Sequence, residues 1–204
     1  MSTMISAPEA YFRQFAPKRS DLLLKMEQEA RQEAIPIIGP FVGELLFILA
    51  RSARARKILE LGTAIGYSAL YLAEACTSVQ GKVVTLERDP QMAARAKANF
   101  RLAGLEASIE LKLGDAIEVL DSMRETFDMV FLDVDKADYI RALPHCRRLL
   151  VSGGLLLADN TGFSDADAFN RAIAADADFR SVPLFAFLPL HSPEKDGLCI
   201  ALRR

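Results

Sequence analysis

What the sequence lacks narrows it first. There is no tryptophan to suggest an exposed stacking platform. The three cysteines, Cys76, Cys146 and Cys199, are odd in number, widely spaced and form no Cys-x-x-Cys pair. Such a set argues against a disulfide framework and for free thiols in a reducing compartment. No stretch approaches about 20 uninterrupted apolar residues, so no membrane-spanning segment is expected. The N-terminal MSTMISAPEAYFRQF has no basic flank followed by a long apolar run, which excludes a secretory signal and makes the cytoplasm the expected location. Neither sign of charge dominates: 25 Lys and Arg stand against 27 Asp and Glu. A net charge of −2 excludes a generic polyanion binder, although not a local basic patch. No repeat, linker or low-complexity tract appears. What is present, 51% hydrophobic and 25% charged residues in a chain of 204, suits one globular domain with a full core over residues 1–204.

Helical patterning leads, around Glu9–Phe15 and Asp21–Glu33. The second segment carries Leu22, Leu23, Met26 and Ala30 on one face and charges opposite. Pro36 and the Gly39-Pro40 pair read as interruptions, and a helix apolar nearly all round is expected at about Val42–Ala50. From Lys57 onward short apolar runs recur at Ile58–Leu61, Val83–Leu86, Ile109–Leu113, Met129–Leu132, Leu155–Ala158, Val182–Phe187 and Leu198–Leu202. Helical stretches separate most of them, at Ser68–Ala75, Pro90–Leu102, Ala116–Met123, Tyr139–Leu149 and Asp165–Ala175. Strands alternating with helices imply an α/β fold, a Rossmann-like doubly wound sheet covered on both faces. Seven mostly parallel strands are expected. The last two runs lack a helix between them, so the C-terminal strand should be antiparallel. Residues 1–50 would form a helical extension and 51–204 the core.

In such a sheet ligands sit beyond the carboxyl ends of the strands. Nearly every strand here ends in an acid: Glu60, Glu87, Asp115, Asp133 with Asp135, and Asp159 beside Asn160. The stretch Ile58-Leu-Glu-Leu-Gly-Thr-Ala-Ile-Gly-Tyr-Ser68 reads as a buried strand that breaks into a glycine turn and then a helix. That turn brings backbone amides and a helix N-terminus against a ligand. A dinucleotide fingerprint needs Gly-x-Gly-x-x-Gly, and from Gly62 the second and third glycines fail, which disfavours an NAD-linked dehydrogenase. Glu87 stands where an acid accepts hydrogen bonds from ribose hydroxyls. A ribose-bearing ligand without a pyrophosphate fits both facts, and S-adenosylmethionine is one. Asp133, Asp159 and Asn160 offer only oxygen at the ends of two strands expected to be neighbours. That donor set suits Mg²⁺, or Mn²⁺ or Ca²⁺ in its place, while Asp159-Asn160 equally suits an Asx turn. Lys136, three residues after Asp133, is either a solvated loop lysine or a base within reach of a hydroxyl held by that ion.

The motifs Glu60-Leu-Gly-Thr-Ala-Ile-Gly-Tyr-Ser68, Gly114-Asp-Ala116, Phe127-Asp-Met-Val-Phe-Leu-Asp-Val-Asp-Lys136 with Tyr139, and Gly153-Gly-Leu-Leu-Leu-Ala-Asp-Asn160 resemble the cation-dependent class I O-methyltransferases. That family comprises the catechol and caffeoyl-coenzyme A O-methyltransferases and their small bacterial relatives. The resemblance runs from about Ile35 to the C-terminus. It implies that Glu60, Gly62 and Asp133 line the methionine part of S-adenosylmethionine, with Ser68 on its carboxylate and Ile38 at its amino end. It implies Glu87 on the ribose, the Ala116 backbone on the adenine, and Asp133, Asp159 and Asn160 on a divalent cation. Lys136 would be the general base, and a homodimer is expected by likeness.

Two stretches depart from the family pattern where an acceptor should bind. Thr161-Gly-Phe163 follows the Asp-Asn pair, and Leu188–Gly197 is longer than the usual connection, so His191, Ser192 and Lys195 are candidates for shaping acceptor choice. The expected acceptor is a small aromatic vicinal diol or a similar hydroxylated molecule. The rivals are a hydroxylated wobble uridine in tRNA and a cofactor-binding module without catalysis. Arg51, Arg54, Arg56 and Lys57 form a basic cluster, read as a solvated helix cap or as contacts to the phosphates of a coenzyme A ester or an RNA. His145 and Cys146 have no partner at ligand spacing and read as packing or surface residues.

Overall fold

The computed structural model describes residues 3–204, so of the N-terminal segment only Met1 and Ser2 lie outside the described residues. Seven strands, β1 (Lys57–Leu61), β2 (Lys82–Glu87), β3 (Ile109–Leu113), β4 (Phe127–Leu132), β5 (Leu150–Ala158), β6 (Phe179–Phe187) and β7 (Lys195–Arg203), form one sheet in the order β3-β2-β1-β4-β5-β7-β6. The pairs β1–β2, β1–β4, β2–β3 and β4–β5 are parallel. Only β7 is reversed, and it pairs antiparallel with β5 and with β6. The doubly wound, mostly parallel sheet with an antiparallel C-terminal strand is therefore as the sequence patterning predicts.

Alternate residues of the central strands feed two cores, as the pleat requires. Ile58, Met129 and Phe131 join Val42, Leu46 and Leu72 on one face. Leu59, Leu61, Val130 and Leu132 join Leu120, Leu143 and Phe169 on the other. Burial on both faces is why these strands read as unbroken apolar runs. The helices that supply the cover are α2 (Asp21–Glu33), α3 (Gly39–Ser52), α4 (Tyr67–Cys76), α5 (Pro90–Leu102), α6 (Ala116–Ser122), α7 (Tyr139–Leu149) and α8 (Asp167–Ala175); the short α1 (Pro8–Arg13) buries none of its residues.

Several boundaries differ from the sequence reading, among them the starts of α3 and β5. Gly39-Pro40 opens α3 instead of interrupting the chain, because proline is tolerated in a first turn, where its missing N–H has no partner to lose. Gly39 takes φ +65°, and a Cβ there would meet the Leu190 carbonyl oxygen at 2.4 Å. Strand β5 begins at Leu150, five residues early, since Gly153 and Gly154 mask its pattern; its register against β4 shifts between Phe127 and Met129.

Chain order runs outward through β1, β2 and β3, then returns to β4 on the other side of β1. The crevice between the carboxyl ends of β1 and β4 is thus the topological switch point, where open α/β sheets take their ligands.

Candidate active site

At that crevice lies a cavity of about 230 Å³. Gly62 makes it possible: β1 passes so close to β4 that a Cβ on Gly62, at φ +97°, would meet the Asp133 carbonyl oxygen at 2.0 Å. The sheet ladder continues to the rim through Asp133 N–H donating to Leu61 (2.8 Å) and Asp159 N–H to Leu132 (3.1 Å). Tyr139, fully buried, sets its hydroxyl 3.1 Å from the Leu132 carbonyl and 2.9 Å from that of Asp159. It therefore ties the ends of β4 and β5 together, which accounts for its place in the Asp-x-Asp-Lys-x-x-Tyr motif.

Ile38, Gly62, Ser68, Glu87, Ala116, Asp133, Lys136, Asp159 and Asn160 all line this cavity. Glu60 does not. It lies beneath the floor, fully buried, accepting a 2.5 Å hydrogen bond from Thr85, whose hydroxyl is in turn 2.5 Å from that of Thr63. Its Oε1 has no partner within hydrogen-bond geometry. Burial pushes the Glu60 carboxyl up to about 8, with the Ser68 and Thr85 hydroxyls tempering the rise. A buried carboxyl oxygen left open is a group that a ligand's donor can satisfy.

Glu87 holds the glycine turn from the next strand. Its Oε2 accepts from the Thr63 (3.2 Å) and Ala64 (2.7 Å) amides and its Oε1 from Asp89 N–H (2.9 Å). Each oxygen keeps lone-pair capacity toward the cavity. Asp115 caps α6 by accepting from Ile117 N–H (2.9 Å) and Glu118 N–H (3.2 Å), which places Ala116 at the helix N-terminus on the cavity wall. Asp135 pairs with Arg88 across 2.8 Å, both half-exposed or more, and so joins the rims of β2 and β4.

At the other end of the cavity Asp133, Asp159 and Asn160 are brought together, each with a partner from the protein. Lys136 Nζ donates to Asp133 Oδ1 at 3.0 Å. His191 Nε2 lies 2.8 and 3.0 Å from the two Asp159 oxygens, with both side chains 1% exposed. Asn160, at φ +47°, donates its amide to Asp196 Oδ2 (2.6 Å) and to the Ser192 carbonyl (3.3 Å), leaving Oδ1 as the atom free for a ligand. Burial raises the Asp133 pKa, and the charge of Asp159 adds to the rise, while Lys136 opposes it. Two carboxylates that repel each other beside a free amide oxygen are a hard, all-oxygen donor set, and in chemistry they fit a divalent cation. As the side chains stand, no three His, Cys, Asp or Glu converge on one point among the described residues, because Lys136 and His191 hold the two carboxylates.

Sequence reasoning assigned no role to Asp196, the second residue of β7, which is 2% exposed in the fold. It singled out His191, Ser192 and Lys195 for the acceptor: Ser192 does line the cavity, His191 does not, and Lys195 pairs with Glu9 at the surface. The basic cluster lies elsewhere. Lys57 starts β1, and the Arg56 and Lys57 amides donate to Asp128 at the opposite end of the sheet from the cavity. Cys146 is buried and His145 sits at the surface near Asp121. No helix among the described residues is long and apolar enough to cross a membrane.

Known proteins share this sequence pattern and fold. A catechol O-methyltransferase of Niastella koreensis is 38% identical over 146 residues, 69% of this chain and 66% of that one, just under two thirds of its length. A catechol O-methyltransferase of Mycobacterium tuberculosis is 31% identical over 173 residues, 79% of this chain and 78% of that protein. Among solved structures, the O-methyltransferase from Bacillus cereus in complex with SAH superposes with a TM-score of 0.86 at 26% identity, covering 98% of each chain. The family model described as O-methyltransferase matches residues 18–181, a span that takes in every residue of the cavity floor and both carboxylates of its far end, and the chain belongs to that family.

Proposed function

We propose that this chain transfers the methyl group of S-adenosylmethionine to a hydroxyl oxygen of a small aromatic vicinal diol or a similar acceptor, with the help of a divalent cation. The observation that carries the reading is convergence: residues scattered from 38 to 160 line one cavity at the switch point, with an open buried carboxylate beneath it. Ile38, Gly62, Ser68 and Asp133 hold the methionine part, Ile38 at its amino end, with Glu60 beneath them under the floor. Glu87 takes the ribose hydroxyls and Ala116 the adenine. Asp133, Asp159 and Asn160 hold the cation, Mg²⁺ first, with Mn²⁺ or Ca²⁺ as substitutes.

The cation, when bound, supplies charge that lowers the pKa of an acceptor hydroxyl. Lys136 accepts the proton of that hydroxyl at Nζ. For that, Nζ must first release to solvent the proton with which it holds Asp133, 3.0 Å away. The acceptor oxygen then forms its bond to the methyl carbon as the carbon–sulfur bond breaks, and S-adenosylhomocysteine leaves. The protein contributes alignment of the two reactants, worth about 7–11 kcal/mol of the barrier when well set.

The activity for which two relatives are named favours catechol-like acceptors, and the position of the basic cluster, away from the cavity, disfavours tRNA. The same reading takes residues 1–204 as one domain in a cytoplasmic homodimer, which sedimentation checks. A transfer assay with labelled methyl donor, run on catechols and on hydroxylated tRNA with Mg²⁺ or with EDTA, tests it. Methylation of a catechol that stops in EDTA is expected; undiminished transfer in EDTA overturns the cation, and labelling of tRNA alone overturns the acceptor.

A further inference from the structure

A second cavity, of about 400 Å³, adjoins the first. Pro36, Ile37 and Ser192 line both. His191 lines only the second, and its Nε2 faces the Asp159 oxygens at 2.8 and 3.0 Å. The two cavities are thus neighbours at the end where Asp133, Asp159 and Asn160 stand. The walls of the second are the last turns of α2, the residues that follow it, and the long connection between β6 and β7. Ala30, Ala34, Ile35 and Leu190 make much of that lining apolar. Cavities of this size take small organic groups, and none of the residues assigned to the cofactor or the cation lies in it.

Charge decides which group. Besides His191, the ionisable side chains of the lining are Glu27, Glu194 and Arg31. Both acids are already neutralised by arginines that do not line the cavity. Glu27 accepts from Arg19 Nε at 3.0 Å and from the Tyr67 hydroxyl at 2.8 Å. Glu194 accepts from both terminal nitrogens of Arg13, one of them at 2.6 Å, and from Leu190 N–H at 2.9 Å. Arg31, exposed in the last turn of α2, has neither an ion pair nor a side-chain hydrogen bond among the described residues. The lining with its supporting arginines therefore carries one positive charge in excess. A guanidinium fork with its donors unused, set beside apolar walls, matches a carboxylate, which it holds through two parallel hydrogen bonds. Resting on the acceptor reading above, we infer that the acceptor is an aromatic vicinal diol bearing a carboxylate on a short arm, that the arm lies in the second cavity, and that Arg31 selects it. The arm runs past Ile37 and Ser192, which both cavities share. An uncharged arm meets the same apolar walls without the pairing. An ammonium arm meets the excess positive charge and two acids that are already engaged.

The test compares three acceptors alike in the ring and different in the arm: 3,4-dihydroxycinnamate, its methyl ester and 3,4-dihydroxyphenethylamine. Each is assayed with labelled methyl donor on the natural protein, Arg31→Gln, Arg31→Lys and Arg31→Glu. In the natural protein kcat/KM for the carboxylate should exceed that for the ester and for the amine by at least about fivefold, with the difference in KM. The carboxylate-to-ester ratio should fall to within about twofold of unity in Arg31→Gln and be partly kept in Arg31→Lys, which retains the charge but not the fork. Arg31→Glu should put the amine ahead of the carboxylate. A natural protein that uses the three alike overturns the inference, and so does a carboxylate preference that survives Arg31→Gln. A merely structural role for Arg31 would lower all three acceptors together and leave the ratio standing, which is that second outcome. If none of the three is methylated by the natural protein, the acceptor reading falls and this inference with it; transfer without preference for the carboxylate fells this inference alone.

Discussion

Glu60 is the residue whose environment makes the sharpest claim. Its folded carboxyl sits at about 8, above its ordinary value of 4.5, chiefly through burial. Between about pH 4.5 and 8 the unfolded chain has released this proton and the folded chain retains it, so ligand-free stability falls as pH rises across that window, by up to about 1.4 kcal/mol per unit. Glu60→Gln should flatten this slope, melting above the natural protein at pH 8 and level with it near pH 4.5 in thermal scans without ligand. The same variant should bind S-adenosylhomocysteine more weakly, because its amide cannot ionise beneath the ligand's ammonium. Asp133→Ala and Asp159→Ala should each abolish cation-dependent turnover, and full activity of either in EDTA would remove the oxygen set from the mechanism. These acids were legible in the sequence because Asp133 and Asp159 follow directly on apolar strands and Glu60 stands near the end of one. The partners supplied by Asp196 and His191 were not, since these reach Asn160 and Asp159 across 36 and 32 residues of chain, and no local pattern encodes such a meeting.

Among the elements, the junction of β1 with β4 carries the site. Gly62→Ala places a Cβ on the Asp133 carbonyl oxygen at a backbone conformation that alanine resists, so a loss of roughly 3 kcal/mol is expected in urea unfolding. Tyr139→Phe removes the hydroxyl that joins the ends of β4 and β5 and should cost about 1–2 kcal/mol by the same measurement. Central strands were readable from sequence because burial on both faces leaves an unbroken apolar run. The start of β5 and the start of α3 were obscured for one reason: Gly153-Gly154 and Gly39-Pro40 look like breakers, and only neighbours in space show a strand passing through the first pair and a first helical turn built on the second.

For the molecule as a whole, the sheet separates two ends with different duties. The cavity occupies the carboxyl end, and the basic cluster occupies the amino end around Lys57. Removing the exposed charges of Arg54, Arg56 and Lys57 together should leave kcat/KM for a catechol within about twofold, whereas a loss beyond about tenfold would place part of the substrate on that face. The succession of strands and helices along the chain, the coverage of both sheet faces and the acids around the cavity were determined by the sequence itself, because hydrophobic period and strand-end chemistry are local properties. What only the tertiary structure decided is who neutralises whom at the far end of the cavity. Lys136 with Asp133, His191 with Asp159 and Asp196 with Asn160 are pairings set by packing between distant segments. Charge pairing depends on distances of a few ångströms between side chains, and linear order along the chain leaves those distances free until the sheet has closed.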